Sequence, residues 1–242
     1  MNRIPWNLQT VGDIPSTNDR AAAEPAWTAI RADSQSHSRG RQNRPWSSQP
    51  GGLWVSAVVP LTQHQANASV LPIIAGLSVI RALTDYNLPG LRLRWPNDVM
   101  VRDRKLGGIL VERFQPDRVV IGIGLNVRNH PEEDDPTLAN IAISLDALLA
   151  MPPQIPSLTD RILHEIQIAV QELATRGFIP FLQEIDSLWH GQRQVTVLVD
   201  DETVHGLFLG IDSEGNPRLQ QSDGQVTVCS AAHIWQLTET SF

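Results

Sequence analysis

The residues best suited to chemistry fall in two stretches of the 242-residue chain. Between positions 38 and 48 it reads SRGRQNRPWSS, placing Arg39, Arg41 and Arg44 within six residues and Trp46 just after them. Around position 105 it reads RWPNDVMVRDRKLGGILVE, with Lys105 ahead of a Gly-Gly pair. Lys and Arg together number 19, and Lys105 is the one lysine among them. Where arginine has taken every other cationic position, a remaining ammonium marks a place that suits a compact point charge and not a planar guanidinium. Both kinds of cation bind phosphates and carboxylates. A solvated charged loop has the same composition, so taken singly these residues leave both readings open.

Two further stretches could complete a site. PSTN, residues 15–18, offers the hydroxyls of Ser16 and Thr17, and Gln35 opens the arginine-bearing segment. In VIGIGLNV, Gly122 and Gly124 let a ligand approach a strand closely, and Asn126 offers a donor and an acceptor. A turn and a packed strand explain the same residues equally well. Several chemistries lack their motifs. There is no P-loop, no HExxH and no GxSxG, and the glycine pair at 122 and 124 is followed by Val127 where a dinucleotide fingerprint needs a third glycine. The seven histidines are scattered, so no protein-borne metal site is expected.

The elements that must position these residues follow from pattern. Short apolar runs at 27–32, 53–59, 91–95, 109–114 and 119–127 predict strands, and 67–86, 143–151, 157–176 and 181–190 predict helices. In the longest, Ile162, Ile166, Ala169, Val170 and Leu173 form one stripe, Ser157 or Thr159 can cap the start, and Gly177 can stop the end. Gly40 and Asn43 are the expected left-handed positions of the arginine loop. From position 194 onward, short strand-like runs alternate with turns. The pattern predicts an α+β domain over 1–188 and a small all-β barrel over 189–242. A formal net charge of −7 argues against nucleic acid as a partner. One cysteine and the want of an apolar leader or a bilayer-length apolar run fit a cytoplasmic protein off the membrane.

Together, the segments resemble the biotin protein ligases in order and spacing. Ser16-Thr17-Asn18, SRGRQNRPW, RWPND, KLGGILVE and IGIGLN match that family's motifs between about residues 16 and 145, with a weaker likeness to the end. Ser38 and Asn43 stand where the family commonly has glycine, Arg94 replaces a common lysine, and Pro15 replaces a common acidic residue. The resemblance implies a mixed sheet flanked by helices, as in class II aminoacyl-tRNA synthetases, followed by a Src-homology-3-like barrel. It implies that biotin and Mg2+-ATP give biotinyl-5′-AMP, and that the biotinyl group passes to a lysine of the biotin carboxyl carrier protein of acetyl-CoA carboxylase. It assigns catalysis to Lys105, Arg39 and Arg41. Biotin would be bound by Ser16, Thr17, Gln35, Ser38, Arg39, Gly40, Arg41, Lys105, Gly108 and Gly122. The nucleotide would be bound by Arg41, Arg44, Trp46, Asn97, Lys105, Gly124 and Asn126. Some members carry an N-terminal DNA-binding domain; with 15 residues ahead of Ser16, ligase activity without DNA binding is expected. A homodimer is left open. A lipoate or octanoate ligase of the same fold, or a biotin-binding module without turnover, are the competing expectations.

Overall fold

The structure is a computed structural model that describes residues 4–61, 70–189, 191, 193–200 and 202–239. Strand β1 (Asn7–Ile14) leads through the short helix α1 (Thr17–Ala21) into β2 (Thr28–Gln35), which lies parallel to it. The next strands are β3 (Leu53–Pro60), β4 (Leu91–Arg94), β5 (Asp98–Val101), β6 (Arg104–Gln115) and β7 (Arg118–Leu125). They join antiparallel to give a mixed sheet of order β1-β2-β3-β7-β6-β5-β4 among the described residues.

Alternation along the central strands decides what each face meets. Val55, Ala57 and Val59 join the main core under helices α2 (Leu71–Leu83) and α4 (Ile155–Arg176). Val58, Ile30 and Val120 turn the other way and pack with Ala21 of α1. That second face, covered only in part by α1, is where the polar residues of interest gather. Beyond β7 come α3 (Pro131–Asp134) and, after α4, α5 (Leu182–Ser187).

The expected stripe of α4 is buried throughout, and Gly177 ends the helix at φ 72°. Its start differs: Gln154 occupies the cap and Pro156 the first turn, while the Thr159 hydroxyl donates to Ile155 O at 2.8 Å inside the helix. The helix expected over 67–86 is α2 followed by a 3-10 turn, Thr84–Tyr86; residues 67–69 lie outside the described residues, as does His190 at the end of another expected helix. No helix forms over 143–151. Its apolar residues serve the sheet instead: Lys105 N donates to Ile141 O at 2.6 Å, Ile143 N to Lys105 O at 3.0 Å and Leu145 N to Asn126 O at 3.1 Å. Satisfying strand ends takes precedence over local helical pattern here.

A second, antiparallel sheet follows: β8 (Arg193–Val199), β9 (Glu202–Ile211), β10 (Pro217–Gln220), β11 (Val226–Val228) and β12 (Ile234–Glu239), ordered β11-β10-β9-β8-β12. It is fastened to the β4–β5 hairpin. Arg92, 1% exposed, donates to both carboxylate oxygens of Glu239 at 2.9 and 2.6 Å. Trp95 Nε1 donates to Gly215 O at 3.0 Å, and Arg193 pairs with Asp103 at 2.9 Å. Among the described residues no helix is long and apolar enough to cross a membrane.

Candidate functional site

The floor of the site is a set of missing side chains. In the sheet register Ser56 of β3 lies opposite Gly122 of β7, Gly122 opposite Leu110 of β6, and Gly124 opposite Gly108. Glycine is needed at 122 and 124 because other groups lie directly on them, and the fit is close at 108. A Cβ on Gly122 would collide with the Asn18 amide, and one on Gly124 would sit 2.9 Å from Trp46 Nε1. One on Gly108 would lie 3.4 Å from both Lys105 Nζ and the Trp46 ring. Trp46 therefore roofs the strip formed by Gly108 and Gly124. Its indole N–H is buried with no acceptor, which costs about 1–3 kcal/mol when it persists.

Lys105 reaches this floor through a bulge. Asp98 pairs with Gly108 and Val99 with Gly107, but Met100 then pairs with Lys105, so Leu106 is an extra residue in β6. In an unbroken strand, residues 105 and 108 would face opposite sides; the bulge turns the Lys105 side chain onto the glycine face. There Lys105 Nζ lies 2.6 Å from Asp98 Oδ1 and 4.8 Å from the centre of the Trp46 ring. Arg94 holds the other oxygen of Asp98 at 3.1 and 2.5 Å. Burial alone would raise the Asp98 carboxyl, but Lys105 and Arg94 outweigh it and hold the group below the ordinary carboxylate value. Burial lowers the Arg41 guanidinium from its ordinary value, opposed by attraction to Asp98 and reinforced by repulsion from Arg44. Lys105 and Arg94 thus meet on one carboxylate, with Arg41 within its electrostatic reach.

The arginine loop is a closed hairpin. Gly40 N donates to Arg44 O at 2.8 Å, Trp46 N to Ser38 O at 3.2 Å, and the Ser38 hydroxyl to Trp46 O at 2.6 Å. Its left-handed residues are Gln42 (φ 57°) and Asn43 (φ 56°). Asn43 is as expected, whereas Gly40 has an ordinary φ of −98° and Gln42 takes its place. Arg41 Nη2 lies 3.4 Å from Ile234 O and Gln42 Nε2 2.6 Å from Trp235 O, so the loop tip is tied to β12. A cleft of about 520 Å³, lined by Gln42, Arg44, Leu198, Asp200, Trp235 and Gln236, lies beside the tip, and none of the floor glycines lines it. Arg39 points elsewhere. Its fork donates to Asp19 at 3.0 and 2.7 Å and to Glu112 at 2.9 and 3.1 Å. These carboxylates raise its affinity for the proton above the ordinary guanidinium value, the hydrogen bond to Asp19 first.

A polar ring borders the floor beside α1. Ser16 caps that helix, with Asp19 N donating to its hydroxyl at 3.3 Å. Thr17 N and its hydroxyl donate to Gln35 Oε1 at 2.7 and 2.9 Å, and Gln35 Nε2 donates to Ser48 Oγ at 3.1 Å. The Ser56 hydroxyl lies 2.7 Å from Thr17 Oγ1 and 2.5 Å from Asn18 Oδ1, while Asn18 Nδ2 donates to Glu112 at 2.7 Å. The structure therefore brings Ser16, Thr17, Gln35, Gly122, Gly124, Gly108, Lys105 and Trp46 to one face. Two asparagines act as struts. Asn97 Nδ2 donates to Ile109 O at 2.8 Å, and Asn126 Nδ2 to Ile143 O at 3.2 Å. Sequence reasoning gave no site role to Ser56, Ser48, Glu112 or Asp19, and none in particular to Asn18 or Asp98. A lone serine in the apolar run LWVSAVVP was the available signal for Ser56. Among the described residues no cluster of His, Cys, Asp and Glu could hold a metal ion.

Comparison with known proteins gives consistent matches. A model described as the biotin/lipoate A/B protein ligase family matches residues 14–126, and one for the biotin protein ligase C-terminal domain matches 190–231. The Mycobacterium tuberculosis protein named biotin--[acetyl-CoA-carboxylase] ligase is 32% identical over 95% of this chain and 89% of its own length. The bifunctional ligase/repressor BirA of Bacillus subtilis is 30% identical over 90% of this chain and 71% of its own. Among solved structures, biotin protein ligase from Aquifex aeolicus in complex with biotin and ATP superposes with a TM-score of 0.86 at 27% identity, covering 97% of this chain and 99% of that one.

Proposed function

This chain belongs to the biotin/lipoate A/B protein ligase family, and from that premise we propose that it is an ATP-dependent biotin protein ligase. A biotin carboxylate oxygen attacks the α-phosphorus of ATP, pyrophosphate leaves, and biotinyl-5′-AMP forms. A carrier lysine amine then attacks the acyl carbon, loses its proton, and AMP departs. The acceptor is the biotin carboxyl carrier protein of acetyl-CoA carboxylase, after the relative that bears that name.

The observation that carries the reading is the pair of cations, Lys105 and Arg94, held on Asp98 at one end of a glycine floor. Carboxylate and triphosphate repel each other, so joining them needs positive charge fixed in advance where both anions meet. Lys105 takes that position, exchanging part of its bond to Asp98 for the reacting oxygens. Arg41 and Arg44 face the phosphates. Arg39, held by Asp19 and Glu112, anchors the loop that closes over the ligand.

The floor fits a flat bicyclic ring. Gly108, Gly122 and Gly124 leave room for it, and Ser16, Thr17, Gln35 and the Ser38–Gly40 backbone offer hydrogen-bonding partners for a ureido group. Trp46 moves from over Gly124 to cover the bound molecule, which relieves its buried N–H. Asn97 and Asn126 shape the nucleotide end by holding strand ends in place. Mg2+ enters with ATP and draws its ligands chiefly from phosphate oxygens. A lipoyl dithiolane has no N–H or C=O for the polar ring, which favours biotin over the lipoate branch.

We also place the division between domains at 188/189. What supports it is that β8 and all later strands belong to the second sheet. Strand β1 is a sheet edge, which supports side-by-side pairing of two copies. The reaction is assigned to the cytoplasm, with Cys229 a buried free thiol.

The test is biotin-dependent pyrophosphate release with Mg-ATP, followed by transfer of labelled biotin to a carrier domain, for the wild type and Lys105→Ala. Release with biotin but not lipoate, lost in the variant, is expected. No release from the wild type overturns the reading, and release with lipoate alone moves it to the other branch.

A further inference from the structure

We infer that Glu112 is a positioning residue that ties the orientation of the Asn18 amide to the seating of the arginine loop. The grip on the biotin ring then depends on a carboxylate that does not touch it. The inference rests on the proposed biotin ligase reading and adds a residue to it.

Glu112 lies on β6 two residues beyond Leu110, which is paired with Gly122, so its side chain shares the floor face. Its two oxygens serve two elements. One accepts from Asn18 Nδ2 at 2.7 Å and from Arg39 Nη2 at 3.1 Å, and the other accepts from Arg39 Nη2 at 2.9 Å and Nε at 3.3 Å. An ionised carboxylate only accepts. Asn18 must therefore turn its NH2 toward Glu112, which leaves its oxygen beside the Ser56 hydroxyl and over Gly122. In the reverse orientation the amide oxygen would face a carboxylate and the NH2 would face the floor. Glu112, with the Leu110 carbonyl 3.4 Å from the same Nδ2, thus sets which end of the amide lies over Gly122.

Through both oxygens the same residue anchors the roof. Arg39 belongs to the hairpin that carries Trp46, and the isolated bridge between Arg39 and Pro45 makes that hairpin move as one piece. Asp19 also holds Arg39, but its side chain is 52% exposed against 25% for Glu112. The Glu112 pair is the less screened of the two and so the less weakened by salt. Glutamine at 112 keeps the size but loses the charge and turns an NH2 toward a donor, Arg39 in one orientation and both Arg39 and Asn18 in the other, so the loop loses an acceptor either way.

The experiment compares wild type, Glu112→Gln, Arg39→Gln and the double variant. The readouts are biotin KM, kcat at saturating biotin, the biotin dissociation rate, and hydrogen exchange at the amides of Gly40, Arg44 and Trp46. Glu112→Gln is expected to raise biotin KM and dissociation rate tenfold or more, lower kcat less than threefold, leave ATP KM within threefold and speed exchange in the loop. Arg39→Gln breaks the same link from the loop side, so the double variant is expected to be no worse than the worse single one. An unchanged biotin KM in Glu112→Gln, a loss confined to kcat, or additive penalties would overturn the inference. A wild type that neither binds nor uses biotin would overturn the functional reading instead; the exchange measurement would still decide the Glu112–Arg39 link.

Discussion

Lys105 and Asp98 meet in a 2.6 Å ion pair, and a single extra residue in strand β6 makes the meeting possible. Without that bulge the ammonium would face the helix-covered side of the sheet. The ion pair keeps Lys105 aimed while no anion competes for it. Lys105→Arg is expected to recover little of the activity lost in Lys105→Ala. A planar fork fits poorly in the space between Asp98, Gly108 and Trp46, and losses of 10²–10³-fold or so accompany removal of a preorganised charge. Pyrophosphate release in both variants checks this.

The pH dependence of stability has a defined sign at Asp98. Its carboxyl is held below the ordinary value in the folded protein, so it stabilises the fold above the unfolded carboxylate pKa of about 3.9. That contribution is lost as pH falls through the folded value. Asp98→Asn is expected to be clearly less stable than wild type at pH 7, with the gap narrowing once pH drops below about 4. Urea unfolding at several pH values measures it; a gap constant with pH would contradict the assignment.

Gly122→Ala places a methyl group against the Asn18 amide, which is itself held by Ser56 and Glu112. The clash is expected to cost about 1–3 kcal/mol of stability and to weaken biotin binding more than ATP binding. Thermal shifts with each ligand separate the two.

Trp46 rests on Gly108 and Gly124 with its N–H unpaired. A ligand that enters the floor moves this ring, so biotin is expected to change the intrinsic tryptophan fluorescence of the wild type. In Trp46→Phe, the change should be absent or much reduced even though six other tryptophans remain of the original seven. Titration at a fixed excitation wavelength decides it.

Arg92 is buried and depends on Glu239 for its main countercharge; Asp103, at 3.5 Å, is largely exposed. Glu239→Ala leaves a guanidinium buried without its partner, which is expected to destabilise the protein by about 3 kcal/mol. Arg92→Met with Glu239→Leu restores much of that loss. Denaturation midpoints of the three proteins test the pair.

The sequence exposed the chemical groups better than their connections. Lys105 stood out as the lone lysine, the glycines as gaps in apolar strands, and α4 by its periodic stripe. None of these signals required knowledge of distant contacts. The bulge that aims Lys105 is a matter of pairing register, which one strand does not encode alone. Arg39 looked like its neighbours in the loop, and only the fold brings it to Asp19 and Glu112, 20 and 73 residues away. Residues 143–151 have helical spacing, yet their backbone is drawn into the ends of β6 and β7. Asn97 and Asn126 fell in the right motifs, while their amides are spent on neighbouring strands.

The tip of the arginine hairpin holds β12 by its main chain, at the carbonyls of Ile234 and Trp235. The exposed Trp235 side chain can be exchanged and the handholds remain, since every residue type carries the same oxygen, while Ile234 is also held in the core. A one-residue insertion ahead of them is another matter. It would turn both oxygens to the opposite side and cast the hairpin adrift, so this mooring tolerates spelling changes and fails on a slipped frame.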